Sequence, residues 1–143
     1  MSVSPHPFAR AMPVLDTADM GRALAFYKDK LGFDIVTFGE PATFAIAQRG
    51  TVTLGLALQS EPVIKPAPHW STYIYVADAD AIHAEWLAHG VTITEAICDK
   101  FYNCRDFTIS DPDGNNIGVG HVRTPDAMGP GLAARLGRDA HAA

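Results

Sequence analysis

The hydrophobic positions along the chain change period, and then do so again in the same order. FARAMPVLD, residues 8–16, is apolar and extended in character and predicts a strand. In MGRALAFYKDKL the apolar Met20, Leu24, Tyr27 and Leu31 fall at i, i+4, i+7 and i+11, one face of a helix. Thr17 or Asp19 stands where its cap belongs, and Gly32 where a C′ residue would close it. FDIVTF, TFAIAQ and TVTLGLAL follow as three strands. Gly39-Glu40-Pro41 and Arg49-Gly50 separate them as turns, which predicts antiparallel pairing.

From Ser71 the pattern restarts. STYIYVAD reads as a strand. ADAIHAEWLAH reads as a helix with Ile82, Trp86 and Leu87 on one side and Gly90 at its end. VTITEAI, CRDFTIS and NNIGVGHV read as strands, the last entered through an Asp-Pro-Asp-Gly turn whose composition is sufficient as a generic turn. Thr17-Ala18-Asp19 aligns with Val76-Ala77-Asp78, and Phe44 to Gly55 spans the same 11 residues as Phe107 to Gly118. This is an internal repeat. The predicted fold is α+β: two paired βαβββ modules, about residues 8–58 and 70–122, forming a cupped mixed sheet within one domain over residues 1–123. The proline-rich stretch 59–69 reads as a loop, and residues 124–143 as a docked or loose tail. Two such modules can bound a cavity, a natural ligand site, or can stack merely to build a core.

Composition narrows the function. The 143 residues suffice for one domain, with 48 % hydrophobic and 19 % charged content. No apolar run approaches the ~18 residues of a membrane span. The N-terminal MSVSPHPFAR lacks the basic start and apolar core of a secretory signal. Cys98 and Cys104 do not make a disulfide framework and fit a reducing cytoplasm. A formal charge of −5 without a Lys/Arg cluster argues against nucleic acid.

AMPVLDTADMGRALAFYKDKLGF, VADADAIHAEWLAHGV and RDFTISDPDGNNI, in that order over roughly residues 8–122, resemble the glyoxalase / bleomycin resistance / extradiol dioxygenase superfamily. The resemblance implies paired modules around a cup, and usually a homodimer. It also implies, in the enzymatic members, a divalent metal held by His, Gln and Glu at four equivalent strand positions. The repeat puts those positions at Met12, Gly55, Ser71 and Gly118. Glycine has no side chain, serine is a poor neutral ligand, and methionine suits soft copper, so these four do not make a site for a hard or borderline metal. The six histidines show neither HxH nor HExxH spacing, and each reads as a solvated residue, with His121 on the face opposite Gly118. Cys104 has no histidine nearby in sequence to act as its base.

The expectation is therefore a metal-free, cofactor-free cup for a small molecule, in which bare positions leave space. Strand parity puts Tyr73, Tyr75 and Asn116 on its lining. Phe38, Trp70 and Tyr102 lie where connections rim it, and Arg105 is a candidate partner for an anionic group. GFDIVTF and FYNCRDF are similar to the segments from which bleomycin-binding members present aromatic rings, with Tyr102-Asn103 standing where those members carry Trp-Gly. The resemblance so implies sequestration of a planar aromatic, and by extension cationic, ligand. A metal-dependent lyase or dioxygenase, or a relative serving an unrelated metabolite, are the alternatives.

Overall fold

The computed structural model describes residues 7–61 and 68–124. The tail expected after residue 124, and most of the proline-rich loop, lie outside the described residues. Two four-stranded mixed sheets are formed, one from each module. The first contains β1 (Val14–Thr17), β2 (Asp34–Phe38), β3 (Phe44–Arg49) and β4 (Val52–Leu58), in the order β1-β4-β3-β2. The second contains β5 (Thr72–Tyr75), β6 (Ile93–Asp99), β7 (Cys104–Ser110) and β8 (Asn116–Val122), in the order β5-β8-β7-β6. In each sheet the first strand pairs parallel with the last and the other pairs are antiparallel. Between the first two strands of each sheet runs a helix, α1 (Met20–Ala25) or α2 (Ala79–Ala88).

The helix starts repeat as the sequence predicts. Asp19 accepts a hydrogen bond from the Arg22 amide at 3.0 Å, and Asp78 one from the Ala81 amide at 3.2 Å. Gly32 and Gly90 both adopt φ +78°, the left-handed conformation that ends a helix at low cost only for glycine. Two expectations change. The first strand begins at Val14 and not at Phe8, after Pro13, which has no amide to donate. The first helix turns π-helical over Phe26–Lys30, which brings the adjacent Phe26 and Tyr27, and then Leu31, into the core.

Inner faces of both sheets and the buried sides of both helices share one core: Leu15, Leu54, Leu56, Tyr27 and Leu31 from the first module meet Ile74, Trp86, Phe107, Ile109, Ile117 and Val119 from the second. Leu87, expected on the apolar side of α2, points outward. The opposite faces of the two sheets lie outside that core. The repeat also slips by one residue in its hairpins. Gly55 lies beside Ile46 and Gly118 beside Thr108, so Phe44, beside Ala57, corresponds to Asp106, beside Gly120, and not to Phe107.

Polar clamps join the modules. Arg49 donates to both Glu85 oxygens at 2.8 and 2.9 Å and to the Leu31 carbonyl at 2.8 Å. The Arg49 bond holds the Glu85 carboxyl below its ordinary 4.5. A depressed folded-state pKa contributes stability above the unfolded value and loses it as pH falls through the folded value. The stability gap between wild type and Glu85→Gln is therefore expected to be full at neutral pH and to close below about pH 4, as read by urea midpoints across that range.

The Asp-Pro-Asp-Gly turn is a second clamp, not the generic turn its composition suggests. Asp111 accepts from the amides of Asp113 and Asn115, from Asn115 Nδ2, and from Tyr27 Oη of the first module at 2.7 Å. Asn115 Nδ2 also donates to the Asp16 carbonyl at 3.0 Å. Asp113 accepts from the Ala18 amide and pairs with Arg22 at 2.6 Å.

Candidate ligand-binding site

On the outward face of the second sheet, strand parity aligns Tyr73 with Gly118 and Thr108, and Tyr75 with Gly120 and Asp106. Trp70, just before β5, folds back over this face and donates from its indole nitrogen to Thr108 Oγ1 at 3.1 Å. Its ring meets Tyr73 edge-on at 4.7 Å and Tyr102 at 6.2 Å, and Tyr73 lies 5.0 Å from Tyr75. Phe101, 98 % exposed at the β6–β7 turn, sits 5.1 Å from Tyr102. Beside this aromatic wall is a cleft of about 440 Å³ lined by Pro68, His69, Trp70, Thr94, Glu95, Thr108 and Asn116.

The glycines do not leave open space. A Cβ on Gly118 would stand 2.7 Å from Trp70 Nε1 and from Tyr73 Cδ2. One on Gly120 would stand 2.1 Å from Tyr73 Oη and 2.6 Å from Asp106 Cβ. Gly55 in the first sheet is covered by Phe44, Val14 and Met12. The bare positions are filled by the chain's own rings, and a ligand would lie against those rings and not over bare backbone.

Beneath the rings lies Asp106, 0 % exposed. Its Oδ2 accepts from Tyr73 Oη at 2.9 Å and from Tyr102 Oη, and its Oδ1 pairs with Lys100 Nζ at 2.8 Å. Lys100 also pairs with Glu95 at the cleft edge. Burial works against the Lys100 charge, but the bonds to Asp106 and Glu95 outweigh it and raise its pKa above 10.5. Burial first, then the Asp106 bond, raises both the Tyr73 and Tyr102 phenols above 10.0, so both are protonated donors at neutral pH. Burial likewise raises the Cys104 thiol, the opposite of what a nucleophile needs.

The structure brings together Trp70, Tyr73, Tyr75, Tyr102 and Asn116. It does not bring Phe38 to them: Phe38 lies on the first sheet against Phe44, 6.1 Å away. Arg105 is a correction. It alternates with Asp106 on β7, so it lies on the helix side, bound to Asp80 through two bonds of 2.9 Å and to Asp99 at 3.1 Å. Asn103 takes φ +64°, a conformation asparagine tolerates, so Tyr102-Asn103 can turn where Trp-Gly would. Three histidines are not simply solvated, His89 among them with Nδ1 2.8 Å from the Lys30 carbonyl. His83 meets Phe107 edge-on at 5.0 Å, and His121 accepts from the Ala79 amide at 2.8 Å. Thr108 and Thr94 were not expected as site residues. Parity along β7 from Gly118 could have found Thr108 and Asp106; the bulges in β6 hide Thr94.

The glyoxalase/bleomycin resistance protein/dioxygenase superfamily model matches residues 11–119. The chain belongs to that superfamily. No curated protein matches the chain at a significant level. A bleomycin-binding protein from bleomycin-producing Streptomyces verticillus, solved with copper(II)-bleomycin, is 25 % identical with a TM-score of 0.64, over 80 % of this chain and 97 % of that one. The lactoylglutathione lyase of Agrobacterium tumefaciens is similar in fold at 22 % identity and a TM-score of 0.63, over 80 % and 95 %. A superfamily member from Alicyclobacillus acidocaldarius reaches a TM-score of 0.70 at 16 % identity, over 89 % and 100 %. The divalent metal of the superfamily's enzymes does not fit the residues here. Met12, Gly55, Ser71 and Gly118 offer no imidazole or carboxylate, and Trp70 and Tyr73 stand over Gly118.

Proposed function

We propose that this protein is a small-molecule binding protein that sequesters a planar aromatic ligand on the outward face of the second sheet, in the manner of the bleomycin-binding neighbour. The observation that carries the reading is the wall of Trp70, Tyr73 and Tyr102 beside a cleft, built over Gly118, one of the positions the resemblance assigns to metal ligands. Aromatic rings hold planar groups without reacting with them. Among the described residues paired here, Glu95 and Asp106 set two negative charges against the one positive charge of Lys100, which suits a cationic ligand.

The active form is a homodimer. Val14, Val36 and Phe38 form an apolar outward face on the first sheet, Val36 59 % and Phe38 47 % exposed. A second copy laying that face across the aromatic wall would bury both and bring its Phe38 to the ligand. We place the protein in the cytoplasm. Metal-free bleomycin at 100 times its Kd is expected to raise the apparent stability by about 2.7 kcal/mol in a thermal-shift assay, on a sample that sediments at twice the chain mass. No shift with bleomycin or with a panel of planar cations would sink this reading, and stoichiometric metal in the purified protein would favour a lyase or dioxygenase.

A further inference from the structure

The strand order and pairing of the second sheet do not require a carboxylate at Asp106. The equivalent place in the first sheet is filled by Phe44, and that sheet has the same strand order and pairing. Burying a carboxylate with a lysine is, in general, no more stabilising than packing an apolar side chain there. Both Asp106 oxygens are used within the chain, so it is not a group that meets the ligand. What it does is join parts distant in sequence. Tyr73 on β5 and Tyr102 in the β6–β7 turn both donate to Oδ2, while Lys100, at the other side of the same turn, holds Oδ1. Gly120 lies against this point, leaving room for Tyr73 Oη where any Cβ would collide.

We propose that Asp106, with Lys100 as its counter-ion, is a positioning residue that presets the Tyr73 and Tyr102 rings for the ligand. It fixes two rotamers and the turn that carries one of them before binding, so their ordering does not count against affinity. This rests on the reading of the aromatic wall as the ligand site.

The test compares Asp106→Asn and Lys100→Met with Phe107→Leu, a core substitution on the same strand that loosens packing without touching the carboxylate. Ring-labelled tyrosine is followed by NMR, with Tyr73→Phe and Tyr102→Phe assigning the signals and Tyr27 as an internal reference. Metal-free bleomycin is the affinity probe. Asp106→Asn and Lys100→Met are expected to shift or broaden the Tyr73 and Tyr102 signals, spare Tyr27, and weaken the probe about tenfold. Phe107→Leu is expected to lower the melting temperature and leave both readouts in place. The proposal is overturned if the two ring signals are unmoved in folded Asp106→Asn and Lys100→Met, or if Phe107→Leu moves them equally. A wild type that binds no bleomycin defeats the named ligand alone, and the ring signals still decide the positioning role.

Discussion

Gly120→Ala is expected to destabilise the protein by about 3 kcal/mol or more. Its Cβ would lie 3.0 Å from the Arg105 carbonyl and 2.6 Å from Asp106 Cβ, both fixed in the β7–β8 ladder, and 2.1 Å from Tyr73 Oη. Only the tyrosine can yield, and in yielding it loses its bond to Asp106. Overpacking costs about 1–3 kcal/mol and a hydrogen bond to a charged group about 1.5–3 kcal/mol. Adding Tyr73→Phe removes the atom at the closest approach, so the double variant should be more stable than the sum of its single changes. Gly21→Ala is the control: its Cβ meets nothing closer than Asp19 Oδ1 at 3.6 Å, and alanine in that helix should stabilise by about 0.5–1 kcal/mol. Urea unfolding reads all four. Equal stability of Gly120→Ala and wild type would show that the rings do not occupy that space.

Asp111→Ala should cost about 3–4 kcal/mol, or ~10 °C in Tm. Four donors lose their acceptor, among them Tyr27 Oη, which is 0 % exposed and has no water to turn to. The loss also severs the turn from the first module. Tyr27→Phe removes only one of these bonds and should cost about 1.5–3 kcal/mol. Calorimetry on the two variants checks the order; a smaller loss in Asp111→Ala than in Tyr27→Phe would contradict the clamp.

The fold was legible because burial imposes period on the chain. Apolar spacing gave the helices, turn residues the hairpins, and Asp19 and Asp78 the matching helix starts. The site was legible only as far as parity carries. Tyr73, Tyr75, Asn116 and Gly118 share a face because they alternate along two paired strands. Arg105 was drawn to the site by its nearness to Tyr102 in sequence, yet one residue along a strand reverses the face, and its neighbour Asp106 took the place. The equal spacing of Phe44–Gly55 and Phe107–Gly118 misled for the same reason, since a one-residue difference between hairpins sends Phe107 inward. A glycine in the sequence says that a side chain is missing. It cannot say that Trp70, outside any strand, folds back to fill the space, because that depends on the path of the chain into β5.

The chain has two tryptophans, which gives the central claim a direct test. The Trp70 indole bonds Thr108 on the outward face, while Trp86 is buried in the shared core. In a titration of the 15N-labelled protein with metal-free bleomycin, followed through its two indole N–H signals, the Trp70 signal should move to saturation and the Trp86 signal should stay. Movement of the Trp86 signal alone, or of neither at saturating ligand, would contradict the account.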